Sequence, residues 1–388
     1  MDFDRSPILV FWETTRACGL ACRHCRATAM REPLPGELTT EEGLALIEDV
    51  ARFGPRPPVL ILTGGDPLMR PDIFELAGRA RALGIPIGLA PAVTPLLDDA
   101  ALERLHGLGI KTISISLDGA TPATHEGLRQ VPGIFEDTVA AMRRLVGRGF
   151  TVQVNTTVMR DTVEELPDVA RLLADVGAHI WEVFFLVKVG RGTGVEELTP
   201  QENEDVAHVL YEASAYGFVV RTVEGPFFRR VVAARRAAGT VADPAAVFGL
   251  GPLYRRLSHR LRASLGAPVG APRAQTAGTR DGRGIVFVAH DGEVYPAGFL
   301  PVTLGNVRTR SVVDLYRAHP LLGAIRRAEF GGRCGVCEHR DLCGGSRARA
   351  FAAFGDPLAE DPGCAYVPGA DRVASTPPAA REPRRITA

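Results

Sequence analysis

The sequence predicts an α/β fold in which a parallel sheet is built from repeated strand–helix units. Short apolar runs typical of strands begin near residues 8, 58, 85, 111, 150 and 180, and segments with helical spacing of apolar residues separate them. This alternation favours βαβ units, and six such units form either a partial TIM-type barrel or a doubly wound sheet. In both architectures the functional residues belong at the carboxyl ends of the strands.

Strands are predicted where short apolar runs occur, and helices where apolar residues recur every three to four positions, often behind a polar cap. The predicted strands are residues 8–12, 59–62, 85–90, 111–117, 150–158, 180–187 and 218–222. The predicted helices are residues 39–50, 71–83, 98–108, 133–146, 163–176 and 199–217.

The rest of the chain divides by composition and turn signals. Residues 284–288 and 293–295 flank Asp291-Gly292, which predicts a β-hairpin at the start of a second, smaller domain. The segment before it is Arg- and Ala-rich, and the end of the chain is polar and contains Pro and Arg. The predicted organisation is a core barrel (1–222), a helical connector or insertion (223–283), a smaller domain (284–368) and a disordered tail (369–388).

Composition excludes several classes of partner. Lys plus Arg and Asp plus Glu both number 45, so the charge balance gives no support for nucleic acid as a partner. No stretch approaches the roughly 20 consecutive apolar residues that a membrane helix needs. The first residues have neither a basic region nor an apolar signal core, so we expect a cytoplasmic protein without a membrane partner.

The seven cysteines form two groups with none in the 308 residues between them. The groups are Cys18, Cys22 and Cys25, and Cys334, Cys337, Cys343 and Cys364. Two tight groups of cysteines in a protein that we expect to be cytoplasmic favour metal ligation over a disulfide framework.

Three thiolates can hold three irons of a 4Fe–4S cluster and leave the fourth iron open to an outside ligand. The alternatives for this group are a zinc site that lacks one ligand, or buried structural cysteines. Four thiolates complete either a structural zinc site or a fully ligated 4Fe–4S cluster, and the iron–sulfur candidate upstream favours iron.

Polar residues follow several predicted strands. Gly64, Gly65 and Asp66 come directly after the second strand, where two glycines allow a ligand to approach the backbone. The alternative is an ordinary turn in which Asp66 caps the next helix. Ser116 and Asn155 lie in apolar strands, where an inward polar side chain requires a ligand or a buried hydrogen-bond network.

These motifs resemble those of the radical SAM enzymes. Cys18-x3-Cys22-x2-Cys25 matches the family's cysteine motif, and Gly64-Gly65-Asp66 stands in the place of its Gly-Gly-Glu motif. The stretch from Cys334 to Ala350 resembles SPASM/twitch auxiliary-cluster domains. It is most similar to the branch of haem-biosynthesis enzymes that act on iron-coproporphyrin and sirohaem derivatives.

The resemblance implies a partial (β/α)6 TIM-type barrel with a smaller C-terminal α+β auxiliary iron–sulfur cluster domain. It implies that a 4Fe–4S cluster on the first three cysteines binds S-adenosylmethionine through its open iron. Gly64, Gly65 and Asp66 would contact the methionine ammonium group, and Ser116 and Asn155 the carboxylate and ribose. The cluster, reduced by an electron donor such as flavodoxin or ferredoxin, would pass an electron to the sulfonium of S-adenosylmethionine. This would release methionine and a 5′-deoxyadenosyl radical that abstracts a substrate hydrogen.

The sequence departs from the family at three positions. Asp66 replaces the usual Glu, and Ala297 and Arg347 stand where many SPASM proteins carry further cysteines. We therefore predict one auxiliary 4Fe–4S cluster, held by the four cysteines from Cys334 to Cys364.

The leading functional hypothesis is oxidative modification of a substrate side chain, such as a propionate on a tetrapyrrole haem precursor. Arginines suit propionate binding, and the candidates are Arg229, Arg230, Arg347 and Arg349. A second hypothesis is a peptide- or enzyme-modifying maturase. A third is a non-enzymatic iron–sulfur or zinc protein, which does not explain a group of only three ligands. The sequence assigns no catalytic acid or base and no oligomeric state.

Overall fold

The computed structural model describes residues 2–276 and 278–369, and the predicted tail, apart from residue 369, lies outside them. The described residues form one sheet of ten strands. In chain order, β1 to β10 are Leu9–Glu13, Val59–Thr63, Ile87–Leu89, Thr112–Ser116, Thr151–Val158, Ile180–Phe185, Val219–Val223, Ile285–Val288, Glu293–Tyr295 and Gly305–Asn306.

Helices connect these strands in the described part of the chain. In chain order, α1 to α14 are Thr40–Ala51, Ile73–Ala82, Asp99–Gly107, Pro122–Arg129, Ile134–Gly147, Leu166–Val176, Pro200–Ala213, Phe228–Ala238, Pro244–Phe248, Pro252–Leu265, Val312–Ala318, Pro320–Arg326, Gly332–Val336 and Arg347–Phe354.

The sheet order is β10-β9-β8-β1-β2-β3-β4-β5-β6-β7. Strands β1 to β7 pair in parallel with their sequence neighbours, and helices connect β1 to β6 as the alternation predicts. The predicted α/β fold with a partial (β/α)6 barrel is confirmed, and β7 extends it by one parallel strand.

Capping residues set the starts of two predicted helices. The Thr39 hydroxyl accepts a hydrogen bond from the Glu42 amide at 3.2 Å, and the Glu42 carboxylate accepts one from the Thr39 amide at 2.9 Å. Thr199 and Glu202 form the same reciprocal pair at the start of α7. Each pair satisfies two amides that the first turn of a helix leaves without partners.

The predicted hairpin is present as β8 and β9, and it belongs to the same sheet as the barrel. Strand β8 pairs in parallel with β1, with Leu9 opposite Ile285 and Trp12 opposite Val288. The hairpin thereby covers the edge of β1 that β2 leaves open. The division into a core at 1–222 and a separate domain at 284–368 stays a prediction.

The predicted helical connector, residues 223–283, contains α8, α9 and α10. Helix α10 packs on α6 and α7, on the outside of the barrel. No helix among the described residues is both long enough and apolar enough to cross a bilayer.

Candidate active site

The carboxyl ends of the barrel strands open into one cavity of about 560 Å³. Its wall is formed by alternate residues of the strands, such as Ser114 and Ser116 of β4, because successive side chains of a strand point to opposite faces. The predicted site residues that line this cavity are Cys18, Cys22, Cys25, Gly64, Gly65, Ser116 and Asn155. None of the seven cysteines forms a disulfide.

The loop that carries the first cysteines is closed by backbone hydrogen bonds. The Cys18 amide donates to Met30 O at 2.7 Å, and the Met30 amide donates to Arg16 O at 2.9 Å. Glu37 braces the start of the loop, because its carboxylate accepts from the Arg16 amide at 2.8 Å and from the Thr15 hydroxyl at 3.0 Å. These contacts fix the three thiols at the carboxyl end of β1.

Gly64 and Gly65 are needed because two loops touch at this point. A Cβ on Gly64 would lie 2.3 Å from Thr15 O, and a Cβ on Gly65 would lie 2.2 Å from Ala17 O. The Gly65 amide also donates to Thr15 O at 2.8 Å. The glycines therefore hold the turn after β2 directly against the cysteine loop.

Asp66 is fully buried and does not line the cavity. Its carboxylate accepts from the Leu68 amide at 3.1 Å, the Ala92 amide at 3.3 Å and the Thr94 hydroxyl at 3.0 Å. These contacts cap the short turn after Asp66 and attach the loop after β3 to it. Burial raises the pKa of Asp66, although these hydrogen bonds act to lower it.

Ser116 and Asn155 lie opposite each other in the β4–β5 register. Asn155 Oδ1 accepts a hydrogen bond from Gln153 Nε2 at 2.9 Å, and Gln153 Nε2 also lies 2.7 Å from Glu182 Oε2. A polar chain therefore runs along the barrel wall. Burial raises the pKa of Glu182, although Arg221 and Gln153 oppose the shift.

A buried charged network behind the cysteine loop was not predicted. Asp118, at the end of β4, accepts from Arg129 Nη2 at 2.5 Å and from the Thr157 amide at 2.9 Å. Arg129 Nη1 in turn lies 3.4 Å from Cys22 Sγ. Burial alone would raise the pKa of Asp118, but Arg129, His24 and His125 lower it to about 2.

The loop after β6 also clasps the cysteine loop. Arg191 Nε donates to Cys22 O at 2.8 Å, and its Nη1 donates to Ala29 O at 3.1 Å. A Cβ on Gly190 would lie 2.6 Å from Cys25 O, so the two backbones are in contact. Neither Arg129 nor Arg191 stands in a recognisable pattern in the sequence, because each reaches the loop from a distant element.

Glu13, at the end of β1, connects the cysteine loop to the β8–β9 turn. Its carboxylate lies 3.3 Å from Arg26 Nη1 and 2.9 Å from His290 Nδ1. Burial would raise the pKa of Glu13, but the His290 hydrogen bond and the charge of Arg26 lower it on balance.

The four later cysteines, Cys334, Cys337, Cys343 and Cys364, line a second, smaller cavity. Backbone amides approach three of the sulfurs: Asp361 to Cys334 at 3.3 Å, His339 to Cys337 at 3.4 Å and Gly345 to Cys343 at 3.5 Å. Gly345 lines both cavities, so the two cavities adjoin at this residue.

The residues present fit anionic metal clusters. Burial raises the pKa of the Cys343 thiol to about 11 and that of Cys364 to about 12, so both need a bound cation to be thiolates at neutral pH. Around the first group, Arg129 Nε and Arg191 Nη2 are buried donors without partners in the described protein.

Among the described residues, no three His, Cys, Asp or Glu side chains converge as one bound metal ion requires. The assignment of both cysteine groups to iron–sulfur clusters therefore rests on their spacing and surroundings.

Three of the four arginines suggested for propionate binding are occupied within the protein. Arg230 pairs with Glu204, Arg349 pairs with Asp361 at 3.0 Å, and Arg347 donates to the Pro357 carbonyl at 3.0 Å. Arg229 alone of the four lines the main cavity.

Comparisons with known proteins agree with this geometry. The profile of the Radical SAM superfamily matches residues 12–173. An AdoMet-dependent heme synthase from Methanosarcina barkeri is 35% identical over 366 residues, which cover 94% of this chain and 98% of that protein. A pre-heme d1 synthase from Dinoroseobacter shibae is 31% identical over 383 residues, covering 95% and 88%.

Among solved structures, Streptococcus suis SuiB bound to S-adenosylmethionine has a TM-score of 0.66 at 14% identity, covering 93% of this chain and 78% of that chain. This likeness shows a shared fold.

Proposed function

The chain belongs to the radical SAM superfamily, and on that premise we propose that it oxidatively modifies a carboxylate-bearing side chain of a tetrapyrrole haem precursor. The observation that carries the proposal is that the main cavity adjoins the cavity of the later cysteines, with Gly345 lining both. One end is lined by the three-cysteine loop, and another part of its wall is lined by Gly345 and Ser346, which follow Cys343 closely. A substrate in this cavity lies beside the three-cysteine loop and beside the segment that follows Cys343.

As a radical SAM enzyme, the chain uses a 4Fe–4S cluster and S-adenosylmethionine. We assign the cluster to Cys18, Cys22 and Cys25, and the methionine part of S-adenosylmethionine to the backbone at Gly64 and Gly65. When bound, the pair supplies a 5′-deoxyadenosyl radical that abstracts a hydrogen atom. We assign Ser116 and Asn155, which line the same cavity, to orienting the bound cofactor.

We propose a different role for Asp66 from that of the Glu at this position of the family's Gly-Gly-Glu motif. Its carboxylate accepts hydrogen bonds from Leu68, Ala92 and Thr94. We therefore assign Asp66 to holding the adjacent loops together rather than to contacting S-adenosylmethionine.

The second cysteine group is assigned one auxiliary 4Fe–4S cluster, which supplies an acceptor for one electron. Conversion of a propionate side chain to a vinyl group removes one hydrogen atom, one carbon dioxide molecule and one electron. The backbone amides that approach Cys334, Cys337 and Cys343 stabilise negative charge on the sulfurs, and hydrogen bonds to sulfur tune such centres.

The cavity wall also suits a flat aromatic ligand. Phe184, Phe287 and Phe299 line it, and the Phe184 and Phe299 rings are 6.1 Å apart. The Arg26 guanidinium lies 4.5 Å from the centre of the Phe287 ring. Aromatic side chains offer large apolar faces against which a macrocycle can stack and from which water is excluded.

The test is to incubate reduced, cluster-loaded protein with porphyrins that carry propionates and with peptides, and to measure 5′-deoxyadenosine. We expect release with the porphyrins, together with carbon dioxide and a product of correspondingly lower mass. Stimulation by a peptide but by no porphyrin would replace the tetrapyrrole assignment with a peptide-modifying activity. An external electron donor of the flavodoxin or ferredoxin kind and a cytoplasmic location are further parts of the proposal.

A further inference from the structure

Six arginines line the main cavity: Arg26, Arg129, Arg191, Arg221, Arg229 and Arg280. The cavity contains no lysine among its lining residues. The six differ in how their charges are compensated. Arg26 pairs with Glu13 at 3.3 Å and Arg129 pairs with Asp118 at 2.5 Å, so these two are neutralised within the protein.

Two of the remaining arginines are held by the backbone. Arg191 donates to Cys22 O and Ala29 O, as part of the clasp on the cysteine loop. Arg280 is buried and donates to Arg340 O at 3.0 Å and to Ile325 O at 3.3 Å. Both therefore have structural roles, although Arg191 Nη2 and Arg280 Nε have no partner among the described residues.

Arg221 and Arg229 are different. Arg221 uses only Nε, which donates to the neutral Gln275 Oε1 at 2.9 Å. Arg229 makes only long contacts through Nη1, at 3.3 Å to Leu342 O and 3.5 Å to Cys343 O. No carboxylate of the described residues lies within 4.0 Å of either guanidinium. Both residues line the cavity.

Glu182 lies opposite Arg221 in the β6–β7 register, but its carboxylate accepts from Gln153 Nε2 at 2.7 Å and forms no ion pair with Arg221 within 4.0 Å. Burial raises the pKa of Glu182, and it raises the pKa of Glu224 and Asp281, which share a hydrogen bond. Each of these acids therefore favours its neutral form more than a free carboxyl does. The Ser346 hydroxyl also lies 2.5 Å from Glu224 Oε2, so this acid already has partners.

The two arginines stand on the side of the cavity formed by the later part of the barrel. Arg221 is on β7, and Arg229 is in the first turn of α8, beside the backbone of Cys343. Guanidinium groups bind carboxylates through two parallel hydrogen bonds, and a desolvated cation without a partner is unfavourable. The wall is therefore complementary to a ligand that carries carboxylates.

We propose that Arg221 and Arg229 bind carboxylate groups of the substrate and select a polycarboxylate ligand for this cavity. The inference rests on the proposed function and names the groups that recognise the substrate. A tetrapyrrole with several propionates presents separate carboxylates, so that one side chain can face the first cysteine group while others are held by these arginines.

The experiment is a titration of the anaerobic, cluster-loaded protein with iron coproporphyrin III, followed by its Soret absorbance. Arg221→Gln and Arg229→Gln each remove one guanidinium. We expect each variant to bind about tenfold to a hundredfold more weakly, since a hydrogen bond to a charged group contributes about 1.5–3 kcal/mol. Arg255→Gln is the matched control, because Arg255 is 60% exposed and pairs with Asp243 far from the cavity lining.

A second probe needs no variant. The tetramethyl ester of the same porphyrin keeps the ring but lacks carboxylates, so wild-type protein should bind it as weakly as the arginine variants bind the acid. Arg221→Lys keeps the charge without the parallel donors, and we expect intermediate affinity. Circular dichroism melting curves identify any variant that fails to fold.

The outcomes separate the two proposals. Equal affinity of wild type and both glutamine variants for the acid, or equal affinity of wild type for acid and ester, overturns the carboxylate site and leaves the proposed function standing. Failure of wild-type protein to bind any porphyrin overturns both.

Discussion

The first cysteine group depends on single charged residues that reach it from distant parts of the chain. Arg129 lies 3.4 Å from Cys22 Sγ, and Arg191 Nε lies 2.8 Å from the Cys22 carbonyl oxygen. Asp118 keeps Arg129 in place, and its low pKa of about 2 means that it stays ionised across the physiological range. Arg129 therefore contacts the cysteine loop from a position fixed by Asp118, and Arg191 contacts the loop directly.

Cys18→Ala should separate the two cysteine groups. We expect iron content to fall from about eight to about four atoms per chain, because a second cluster with four ligands of its own is unaffected. Formation of 5′-deoxyadenosine should be lost, since the loop no longer holds three thiolates. Iron analysis and chromatography of the reaction products measure both. Sustained 5′-deoxyadenosine release by this variant would contradict the assignment.

Arg347 is fully buried, with Nη2 3.7 Å from Cys334 Sγ and no carboxylate of the described residues within 4.0 Å. A buried cation stabilises the more negative, reduced state of a nearby cluster. We therefore expect Arg347→Met to lower the midpoint potential of the auxiliary centre, measured by electron paramagnetic resonance during a redox titration.

Two variants control for effects on packing at this position. Arg347→Lys keeps the charge and should stay close to the wild-type potential. Arg327→Met removes an arginine that is 65% exposed, pairs with Glu329 and does not line the second cavity, so it should shift the potential little because solvent screens its charge. A potential unchanged in Arg347→Met would show that the guanidinium does not act on the centre.

Glu224 has a positive φ of 55° and is 7% exposed, in contact with Ser346. Burial, together with the charge of Asp281, raises its pKa well above 4.5. An acid whose pKa is raised in the folded state stabilises the fold below the unfolded pKa, and this contribution is lost as pH rises towards the folded pKa.

We therefore expect the unfolding free energy of Glu224→Gln to fall less with rising pH than that of the wild-type protein. Because the variant side chain cannot ionise, the difference in unfolding free energy between variant and wild type should grow by at most about 1.4 kcal/mol per pH unit above pH 4.5. Urea unfolding at several pH values measures it. Parallel curves for the two proteins would mean that Glu224 has an ordinary pKa.

At the scale of elements, the close contact between the turn after β2 and the cysteine loop leaves no room for a side chain. Gly65→Ala places a methyl group 2.2 Å from Ala17 O, so one loop must move. We expect a loss of about 1–3 kcal/mol in unfolding free energy and impaired 5′-deoxyadenosine formation.

Gly107→Ala is the matched control for the Gly65 variant. Gly107 lies in α3, and nothing within 4 Å would contact an added Cβ. Alanine is favoured over glycine in a helix by up to about 1 kcal/mol, so this variant should be neutral or slightly stabilised. Equal melting temperatures for the two alanine variants would show that a methyl group at position 65 does not disturb the packing of the two loops.

The elements that local pattern predicts are those with strong periodicity or caps. Helices α1 and α7 begin behind Thr39 and Thr199, as predicted. Helix α4 is missing from the predicted elements, because it has only eight residues and its buried positions are His125 and Leu128. A short helix with one buried aliphatic residue gives little periodic signal.

At the scale of the whole molecule, the sheet connects residues that are far apart in the chain. Strand β1 has β2 on one side and β8 on the other, although β8 begins at Ile285. Hairpins and strands can be predicted locally, but pairing across about 270 residues leaves no local signal. The same applies to the site, where cysteine spacing predicts the ligand groups but not Arg129, Arg191 or the Glu13–His290 contact.

A chain truncated after residue 283 tests whether the predicted core is an independent domain. Removal of β8 exposes the edge of β1, and an exposed apolar edge strand promotes aggregation. We expect the truncated protein to be aggregated or unfolded, and the full chain to unfold in one transition. Size-exclusion chromatography and calorimetry measure these properties. A monomeric, cooperatively folded 1–283 fragment would instead support a division at this point.

The pairing of Glu13 with His290 also bears on the order in which the protein is made. The cysteine loop leaves the ribosome well before His290, which lies 265 residues after Cys25, so its brace on the β8–β9 turn forms only after the barrel strands have been synthesised. Until then the three thiols sit in a loop that lacks one of its supports and the strand beside it. We therefore expect the first cysteine group to reach its final arrangement only after the β8–β9 hairpin has been synthesised.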